Sequence, residues 1–192
     1  MKIILASNNN HKLKEIESLL PQNFEVISLQ EAGIEKEIPE PFETLQENAA
    51  TKARTIFEIT GQNCFGEDTG LEVYALNMEP GVRSARYAQN EPGFKNNNEK
   101  LLAALRHQKN RKARFRTVIC LILEGKEYFF EGICEGEIVE AERGKNGFGY
   151  DPVFKPLGSE LVFAEMKLEE KNLFSHRAKA IEQLAAFLKQ SI

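Results

Sequence analysis

Cysteine is scarce in this sequence, and the few cysteines present form no recognisable pattern. Cys64, Cys120 and Cys134 are odd in number, lie far apart and include no CxxC pair. A disulfide framework or a zinc site needs paired or closely spaced cysteines, so the sequence argues against both. Thiols used this sparingly are typical of a reducing compartment, and we expect a cytoplasmic protein.

Long apolar runs are missing as well. The N-terminal stretch MKIILASNNN contains an apolar run that is too short for a signal peptide or a membrane span. Nowhere else do apolar residues approach the roughly 18 in succession that a membrane helix requires. We therefore expect no association with a membrane.

An excess of charge of one sign is also absent. The formal net charge is only −4, and 42% of the residues are hydrophobic against 28% charged, which is the composition of an ordered globular protein. So mild a balance argues against a protein that coats nucleic acid, and it leaves open a small anionic ligand bound by local charges. With 192 residues, we expect one domain, residues 1–192, built as two lobes.

The chain opens with a strand, a polar turn and a helix. Residues 3–6 are wholly apolar, SNNN breaks the run, and an apolar stripe that includes Leu13 and Ile16 predicts the helix. Such a turn aims backbone N–H groups and the positive end of the helix dipole at a ligand, and Lys12 adds a charge one turn in. The arrangement suits phosphate. An ordinary helix cap with a solvated lysine explains the same residues, and the P-loop spacing is missing.

A second candidate segment contains Glu40 and Lys52. Residues 31–42 form a loop in which a proline on each side restricts the backbone at Glu40. Thr44 begins a capping box, and the apolar stripe after it predicts a helix with Lys52 near the edge of that stripe. A surface acid in a turn is the alternative interpretation of Glu40.

The stretch 64–88 is the one around which we expect the rest to be organised. Apolar runs flank the Thr69-Gly70 pair, which predicts strand, turn, strand. The carboxylates of Glu67 and Asp68 come just before that turn, where packing does not require them but a metal ion or a reacting water would. Successive strand residues point to opposite faces, so both acids reach one ion only if the strand ends at the turn. The alternative is a pair of ordinary surface acids.

The remaining chain predicts a helix that begins near Asn97, a series of strands and a last helix. TVICLIL is a strand of β-branched residues, and glycines separate two further strands at 128–133 and 134–140, whose short connections favour antiparallel pairing. Residues 160–172 are expected to be irregular, and Ser175 is expected to cap the last helix.

Two short motifs in this part carry further candidates. In GFGYDP, the glycines let the ring of Phe148 stand clear and stack on a base, while the alternative is a hairpin turn with a core aromatic ring. In FSHRAKA, His176 and Arg177 lie in the first turn of a helix, where cations are disfavoured unless a ligand needs them. The alternative for that pair is exposure to solvent.

A basic run is the strongest competing feature. Residues 106–116 contain six lysines or arginines, which suits either nucleic acid or a solvated helix end. Cations favour a helix C-terminus, and the run lacks the aromatic interleaving that single-strand binding uses. We therefore expect no stable nucleic-acid partner.

Taken together and in order, these segments resemble the inosine triphosphate pyrophosphatase-like family, the XTP/dITP diphosphatases. SNNNHK resembles its [ST]xNxxK opening, ENAATKAR its ENAxxKA helix, GEDTGLEV its [ED]D[ST]GL core and PGVRSARYA its PGxxSARY segment. NNEKLLAAL, RGKNGFGYDPVF and EEKNLFSHRAKA match later blocks, so the resemblance covers nearly the whole chain. The chain departs from the family at VYALNM, where a glycine pair is common, and no proposed catalytic group is lost.

The resemblance implies a fold and a set of roles. The implied fold is α/β: an elongated mixed β-sheet flanked by helices, in two lobes with a central cleft, usually as a homodimer. Asp68 would activate the attacking water, and Lys12 and Lys52 would act beside it. Mg²⁺ would be held by Glu40 and Asp68, with Glu67 close by. Arg86 would lie near the phosphates or support the site. The residues that the resemblance places around the nucleotide are Ser7, Asn9, Lys12, Lys52, Thr69, Phe148, Gly149, Tyr150, Asp151, Lys171, Ser175, His176 and Arg177.

The implied reaction is hydrolysis of ITP, dITP or XTP to the monophosphate and pyrophosphate, which cleans the nucleotide pool. Donors from His176 and Arg177 would fit the 6-oxo group of these purines and leave adenine unpaired. Three other interpretations stay open: the same cleavage of another nucleotide such as a modified pyrimidine, a nucleotide-sensing module without turnover, and nucleic-acid binding by residues 106–116.

Overall fold

A computed structural model describes residues 1–21, 23–36 and 38–190. The strands are β1 (Lys2–Leu5), β2 (Glu25–Ile27), β3 (Cys64–Val73), β4 (Pro80–Gly81), β5 (Lys112–Leu123), β6 (Lys126–Ile138) and β7 (Phe154–Pro156). The α-helices are α1 (Asn10–Glu17), α2 (Leu45–Thr60), α3 (Asn97–Ala104), α4 (Leu168–Asn172) and α5 (His176–Gln190). Short 3-10 helices cover Tyr74–Leu76, Ser84–Arg86 and Phe163–Glu165.

The strands form a mixed sheet in the order β2-β1-β3-β5-β6-β7, with β4 paired to β3. Strand β1 runs parallel to β2 and to β3, and Ile4 lies opposite Cys64 in the second pairing. The pairs β3–β4 and β6–β7 are antiparallel, with Ile138 opposite Phe154 in the latter. The predicted α/β class, a mixed sheet flanked by helices, is confirmed.

The chain forms two compact units. The first unit contains residues 1–68, 117–132 and 176–192, and the second contains 69–116 and 133–175. Residues 22, 37, 191 and 192 lie outside the described part of the chain.

Each unit has its own buried core. In the first unit, strand residues such as Leu5, Phe65 and Ile119 pack with Ile16 of α1 and Leu184 of α5. The core of the second unit includes packed aromatic rings: the ring centroids of Phe115 and Phe154 are 4.7 Å apart, and those of Phe154 and Phe163 are 5.2 Å apart. The apolar residues whose spacing predicted these helices and strands therefore lie on the faces that the two cores bury.

The prediction that glycines end strands in two places is wrong. Strand β3 continues through Gly70 to Val73, and β6 runs unbroken past Gly132 and Gly136. These glycines instead admit neighbouring backbone, because a Cβ atom at Gly132 would lie 1.9 Å from the carbonyl oxygen of His176 and one at Gly136 would lie 2.3 Å from that of Lys155.

Two other segments also differ from the prediction. Residues 160–172, expected to be irregular, contain helix α4 and a 3-10 turn. Helix α3 ends at Ala104 and β5 begins at Lys112, so the basic run 106–116 is a turn followed by a strand and not a helix end. Arg111 in that run donates to the carbonyl oxygens of Leu105, Ile138 and Val139, which gives it a structural role.

The structure also describes the state of the cysteines and the lengths of the helices. Cys64, Cys120 and Cys134 are free thiols, and all three are buried. Among the described helices, none is long and apolar enough to cross a membrane.

Candidate active site

The turn between β1 and α1 is a helix cap, as the sequence predicts. The side-chain oxygen of Asn9 accepts from the backbone N–H groups of His11 and Lys12, and the Ser7 hydroxyl oxygen accepts from the N–H of Asn9 at 3.1 Å. This cap places Lys12 in the first turn of α1. Binding of phosphate by Ser7 and Asn9 stays a prediction.

Lys12 points at a buried carboxylate. Its Nζ lies 3.3 Å from Oε2 of Glu67, whose side chain is inaccessible to solvent. Burial lowers the pKa of Lys12, and the negative charge of Glu67 works against that change. The solvated-lysine interpretation is therefore wrong for Lys12.

Arg177, the second residue of α5, extends the same chain of charges. Its Nε donates to Oε1 of Glu67 at 3.0 Å, and another nitrogen of its guanidinium donates to Glu15 on α1. Burial by itself would lower the pKa of Arg177, but Glu67 and Glu15 outweigh it and raise that pKa. Arg177 is only 2% exposed, so the solvent-exposed alternative for this residue is wrong too.

Lys52 on α2 joins two other carboxylates. Its Nζ donates to Oδ1 of Asp68 at 3.0 Å and also contacts the carboxylate of Glu40. The residue is 5% exposed, so it lies inside the buried face and not at the edge of the stripe. Burial by itself would lower the pKa of Lys52, but Asp68 and Glu40 prevail and raise it. The alternative that Glu40 is only a solvated acid therefore does not describe it.

Lys12, Glu15, Glu40, Lys52, Glu67, Asp68 and Arg177 are hereafter called the charged cluster. Within it, Glu67 and Asp68 face different partners: Glu67 contacts Lys12 and Arg177, while Asp68 contacts Lys52. The reason is that β3 continues through this point, so adjacent side chains alternate. The prediction that the strand ends here, which would turn both acids towards one ion, is wrong.

The donor set restricts how a cation can be held. Among the residues that the structure describes, no group of three or more His, Cys, Asp or Glu side chains could hold a metal ion. Glu40 and Asp68 nevertheless converge on one positive charge, the ammonium of Lys52. Two convergent carboxylates suit Mg²⁺, which usually keeps several waters and substrate oxygens as its other ligands. Burial raises the pKa of Asp68, against the effect of Lys52.

Two residues of this site were missed in the sequence analysis. Each of them contacts a predicted residue, Asp68 in one case and Arg177 in the other. Asn48 is fully buried, and its Nδ2 donates to Oδ2 of Asp68 at 3.2 Å and to the carbonyl oxygen of Phe42 at 3.0 Å. Glu15 holds the guanidinium of Arg177. The available signal was a polar residue on an apolar helix face: Asn48 lies one turn before Lys52, and Glu15 lies beside Ile16.

A second group of predicted residues lies within the second unit. Oδ2 of Asp151 accepts from the backbone N–H of Phe148 at 2.9 Å and from Nζ of Lys171 at 2.7 Å. That Nζ is also 5.3 Å from the ring centroids of both Phe148 and Phe163. Phe148, Asp151, Phe163 and Lys171 are hereafter called the aromatic–lysine cluster. It brings together three predicted nucleoside-binding residues and adds Phe163, which the motifs did not single out.

Neighbouring contacts hold the loop that carries Phe148. The hydroxyl of Tyr150 donates to the carbonyl oxygen of Ser84 at 2.9 Å, and burial raises the pKa of Tyr150. Nδ2 of Asn98 on α3 donates to the carbonyl oxygen of Gly149 at 3.1 Å. The loop is thus tied to two other segments of its unit, and Phe148 remains half-buried.

Three further predicted residues have defined positions but untested roles. Thr69 follows Asp68 in β3 and is half-buried. Ser175 is buried, and its backbone N–H donates to the carbonyl oxygen of Lys171 at 2.9 Å. Arg86 ends a 3-10 helix in the second unit. Binding of the nucleotide by Thr69, the position of Arg86 near the phosphates or in support of the site, and capping of α5 by the Ser175 hydroxyl stay predictions.

His176 begins α5, as the sequence predicts, and it is 3% exposed. Its Nδ1 lies 2.6 Å from the hydroxyl oxygen of Thr117 on β5. The solvent-exposed alternative is therefore wrong for His176 as well. Thr117 was not singled out by any motif, since its role depends on a partner far away in the chain.

Comparison with known proteins identifies a single family along the chain. Residues 3–187 match the Ham1 family. The chain is 50% identical over 188 residues to the dITP/XTP pyrophosphatase of Flavobacterium johnsoniae, with 98% of each protein covered. It is 51% identical to the dITP/XTP pyrophosphatase of Porphyromonas gingivalis, with 97% of each protein covered.

Solved structures agree with this match. The Ham1 protein of Staphylococcus aureus has a TM-score of 0.88 at 36% identity and covers all of both chains. The nucleoside-triphosphatase, or dITP/XTP pyrophosphatase, of Mycobacterium abscessus has a TM-score of 0.76 at 40% identity and covers 96% of this chain and 98% of its own. The family resemblance predicted from the motifs is confirmed, and the chain belongs to the Ham1 family.

Proposed function

We propose that this protein is an enzyme that hydrolyses non-standard purine nucleoside triphosphates, namely dITP, XTP and ITP, to the monophosphate and pyrophosphate. Relatives that share about half of its residues over nearly their full length bear the name dITP/XTP pyrophosphatase. The observation in the structure that carries the proposal is the ammonium of buried Lys52, in contact with the carboxylates of both Glu40 and Asp68. Such a group of fixed charges suits a triphosphate and a divalent ion better than it suits packing.

The metal in this proposal is Mg²⁺, held by Glu40 and Asp68, with Glu67 close by. Mg²⁺ is commonly bound through one or two carboxylates together with substrate phosphates. Both carboxylates already face a cation, the ammonium of Lys52, so they fit the group. When bound, the ion would offset charge on phosphate oxygens and on the leaving pyrophosphate.

The other residues of the charged cluster act on the phosphates and the attacking water. Lys12 and Lys52 supply positive charge to the triphosphate, and Ser7 and Asn9 donate hydrogen bonds to it. Asp68, fixed by hydrogen bonds from Lys52 and Asn48, orients the water that attacks the α-phosphorus. Positioning of that water contributes more than proton removal, because the reacting atoms must be aligned in line.

The remaining predicted residues are assigned to the base and the sugar of the nucleotide. Phe148 stacks on the purine, and His176 donates to the 6-oxo group. Arg177, next to His176, donates to Glu67 and Glu15 and so links the recognition of the base to the charged cluster. The other residues assigned to the nucleoside are Thr69, Gly149, Tyr150, Asp151, Lys171 and Ser175.

We also propose a cytoplasmic homodimer, as the family resemblance implies. Light scattering during size-exclusion chromatography should give twice the chain mass of 21.8 kDa. A mass equal to one chain would contradict the dimer without affecting the proposed reaction.

The reaction is tested by pyrophosphate release from a panel of ITP, dITP, XTP, ATP, GTP, CTP and UTP, with and without Mg²⁺. We expect Mg²⁺-dependent release from the first three and weak release from the others. Equal release from every nucleotide would keep the phosphate chemistry and overturn the assignment of His176. Binding of nucleotide without any release would favour a sensing module, and steeply salt-dependent binding of oligonucleotides would favour the basic run 106–116 instead.

A further inference from the structure

Two residues that no motif indicated fix His176: Thr117 contacts its ring, and Gly132 lies against its backbone. On one side, the hydroxyl oxygen of Thr117 lies 2.6 Å from Nδ1, and Thr117 is fully buried. On the other, the backbone of α5 rests on β6 at Gly132, where a Cβ atom would lie 2.7 Å from the nitrogen of Ala180. The position of this histidine is therefore set by the backbone, and one of its two nitrogens is set by a side chain.

The direction of this hydrogen bond decides which tautomer the ring adopts. In a neutral imidazole, one nitrogen carries hydrogen and the other accepts. If the Thr117 hydroxyl donates to Nδ1, then Nε2 carries the hydrogen and is a donor. If the hydroxyl accepts from Nδ1, then Nε2 is an acceptor.

The separation of 2.6 Å places Nδ1 and the Thr117 hydroxyl oxygen in hydrogen-bond contact, and a threonine hydroxyl can either donate or accept. Donation by the hydroxyl is the direction that suits the proposed substrate. A donor hydroxyl leaves the imidazole in the form that can donate to an oxygen on a ligand.

The geometry points to Thr117 as a positioning residue that determines base specificity through His176. By donating to Nδ1, it holds His176 as the Nε2–H tautomer, whose donor matches the 6-oxo acceptor of hypoxanthine and xanthine. The 6-amino donor of adenine would meet that donor and be rejected. This inference rests on the proposed function, since it assigns a 6-oxopurine nucleotide as the substrate.

Two substitutions separate the hydroxyl from the shape of the side chain. Thr117→Val keeps the branched shape and removes the hydroxyl, while Thr117→Ser keeps the hydroxyl and removes a methyl group. We expect Thr117→Val to lower the ratio of kcat/KM for ITP over ATP by about tenfold to a hundredfold, mainly through a higher KM for ITP. Thr117→Ser should restore most of the ratio. Damage to packing alone would lower turnover of both nucleotides together.

The tautomer is read directly by long-range ¹H–¹⁵N NMR correlation on protein labelled at histidine. The chain has three histidines, so His11→Gln and His107→Gln identify the His176 signals by elimination. We expect the Nε2–H pattern in the wild type and in Thr117→Ser, and a changed pattern in Thr117→Val.

Two results would overturn the inference: an Nδ1–H pattern in the wild type, whether or not the variants fold, or an unchanged spectrum and nucleotide ratio in Thr117→Val. If the wild type released no pyrophosphate from any nucleotide, the proposed function would fail. The tautomer measurement would still decide whether Thr117 donates to His176.

Discussion

Lys52 illustrates how one residue can serve both the stability and the proposed chemistry of this protein. It is a buried cation in contact with two carboxylates, and such a group is favourable only while all of its charges remain matched. Removing the ammonium leaves the carboxylates of Glu40 and Asp68 facing each other without compensation. Stability and activity should therefore change together at this position.

Lys52→Met, which keeps much of the aliphatic stem, should lower the free energy of unfolding by about 3–5 kcal/mol. It should also reduce kcat/KM for ITP by at least about a hundredfold, because a fixed positive charge at the phosphates is lost. Urea titration and pyrophosphate release measure the two effects. Lys2→Met is the matched control, since the ion pair of Lys2 with Glu25 is solvent-exposed. Equal effects of the two substitutions would contradict the role of Lys52.

The cysteine thiols make a separate prediction at the residue scale. Burial raises the pKa of Cys64 and of Cys120 to about 12. At pH 8 only about one thiol in ten thousand would then be ionised, and the thiolate is the reactive form. Ellman's reagent should leave both thiols unmodified in the folded protein and modify them in denaturant. Rapid modification of either thiol without unfolding would show that its surroundings are more open than described.

Among the elements, the contact between α2 and β3 positions Lys52 beside Asp68. The helix backbone approaches the strand at Gly66, where a Cβ atom would lie 2.1 Å from the carbonyl oxygen of Ala49 and 2.8 Å from Cβ of Lys52. No side chain fits there without moving the helix. The glycine is therefore required by this close approach of two backbones and not by a turn.

Gly66→Ala should lower stability by about 1–3 kcal/mol, because α2 has to move away from β3. The shift displaces Lys52, so pyrophosphate release should fall as well. Gly33→Ala is a suitable control: Gly33 has a positive φ of 72°, but a methyl group there meets nothing within 4 Å. That variant should lose only the backbone preference, about 1 kcal/mol, and keep its activity. If Gly33→Ala lost activity while Gly66→Ala kept it, this account of the contact between α2 and β3 would be contradicted.

The same elements show what the sequence could predict. The strand, turn and helix at the start follow from local signals, since an apolar run, an asparagine cap and a helical stripe all lie within 17 residues of the N-terminus. The interruption predicted in β3 was wrong because Thr69-Gly70 has the composition of a turn, while its glycine is needed to admit the carbonyl oxygen of Gly81. Local composition cannot distinguish these two uses of glycine.

At the scale of the whole molecule, the candidate site could be predicted to the extent that its residues lie in recognisable motifs. Lys12, Lys52, Glu67 and Asp68 were found in this way. Asn48, Glu15 and Thr117 were missed because their roles depend on tertiary partners 20, 162 and 59 residues away. The polar position of Asn48 and Glu15 on an apolar helix face was a weak local signal, and Thr117 in its strand had none.

The central claim is that Asp68 and its partners in the charged cluster catalyse the release of pyrophosphate from 6-oxopurine triphosphates. Asp68→Asn tests it most directly, because the amide keeps the shape of the side chain and removes its negative charge. Glu127→Gln is the matched control, since it makes the same kind of change at an exposed pair with Arg54. Pyrophosphate release from ITP in the presence of Mg²⁺ is the measurement. We predict a loss of about a thousandfold or more in kcat for Asp68→Asn and near wild-type release for Glu127→Gln. Release by folded Asp68→Asn within about tenfold of the wild type would contradict the account, because no step would then depend on that carboxylate.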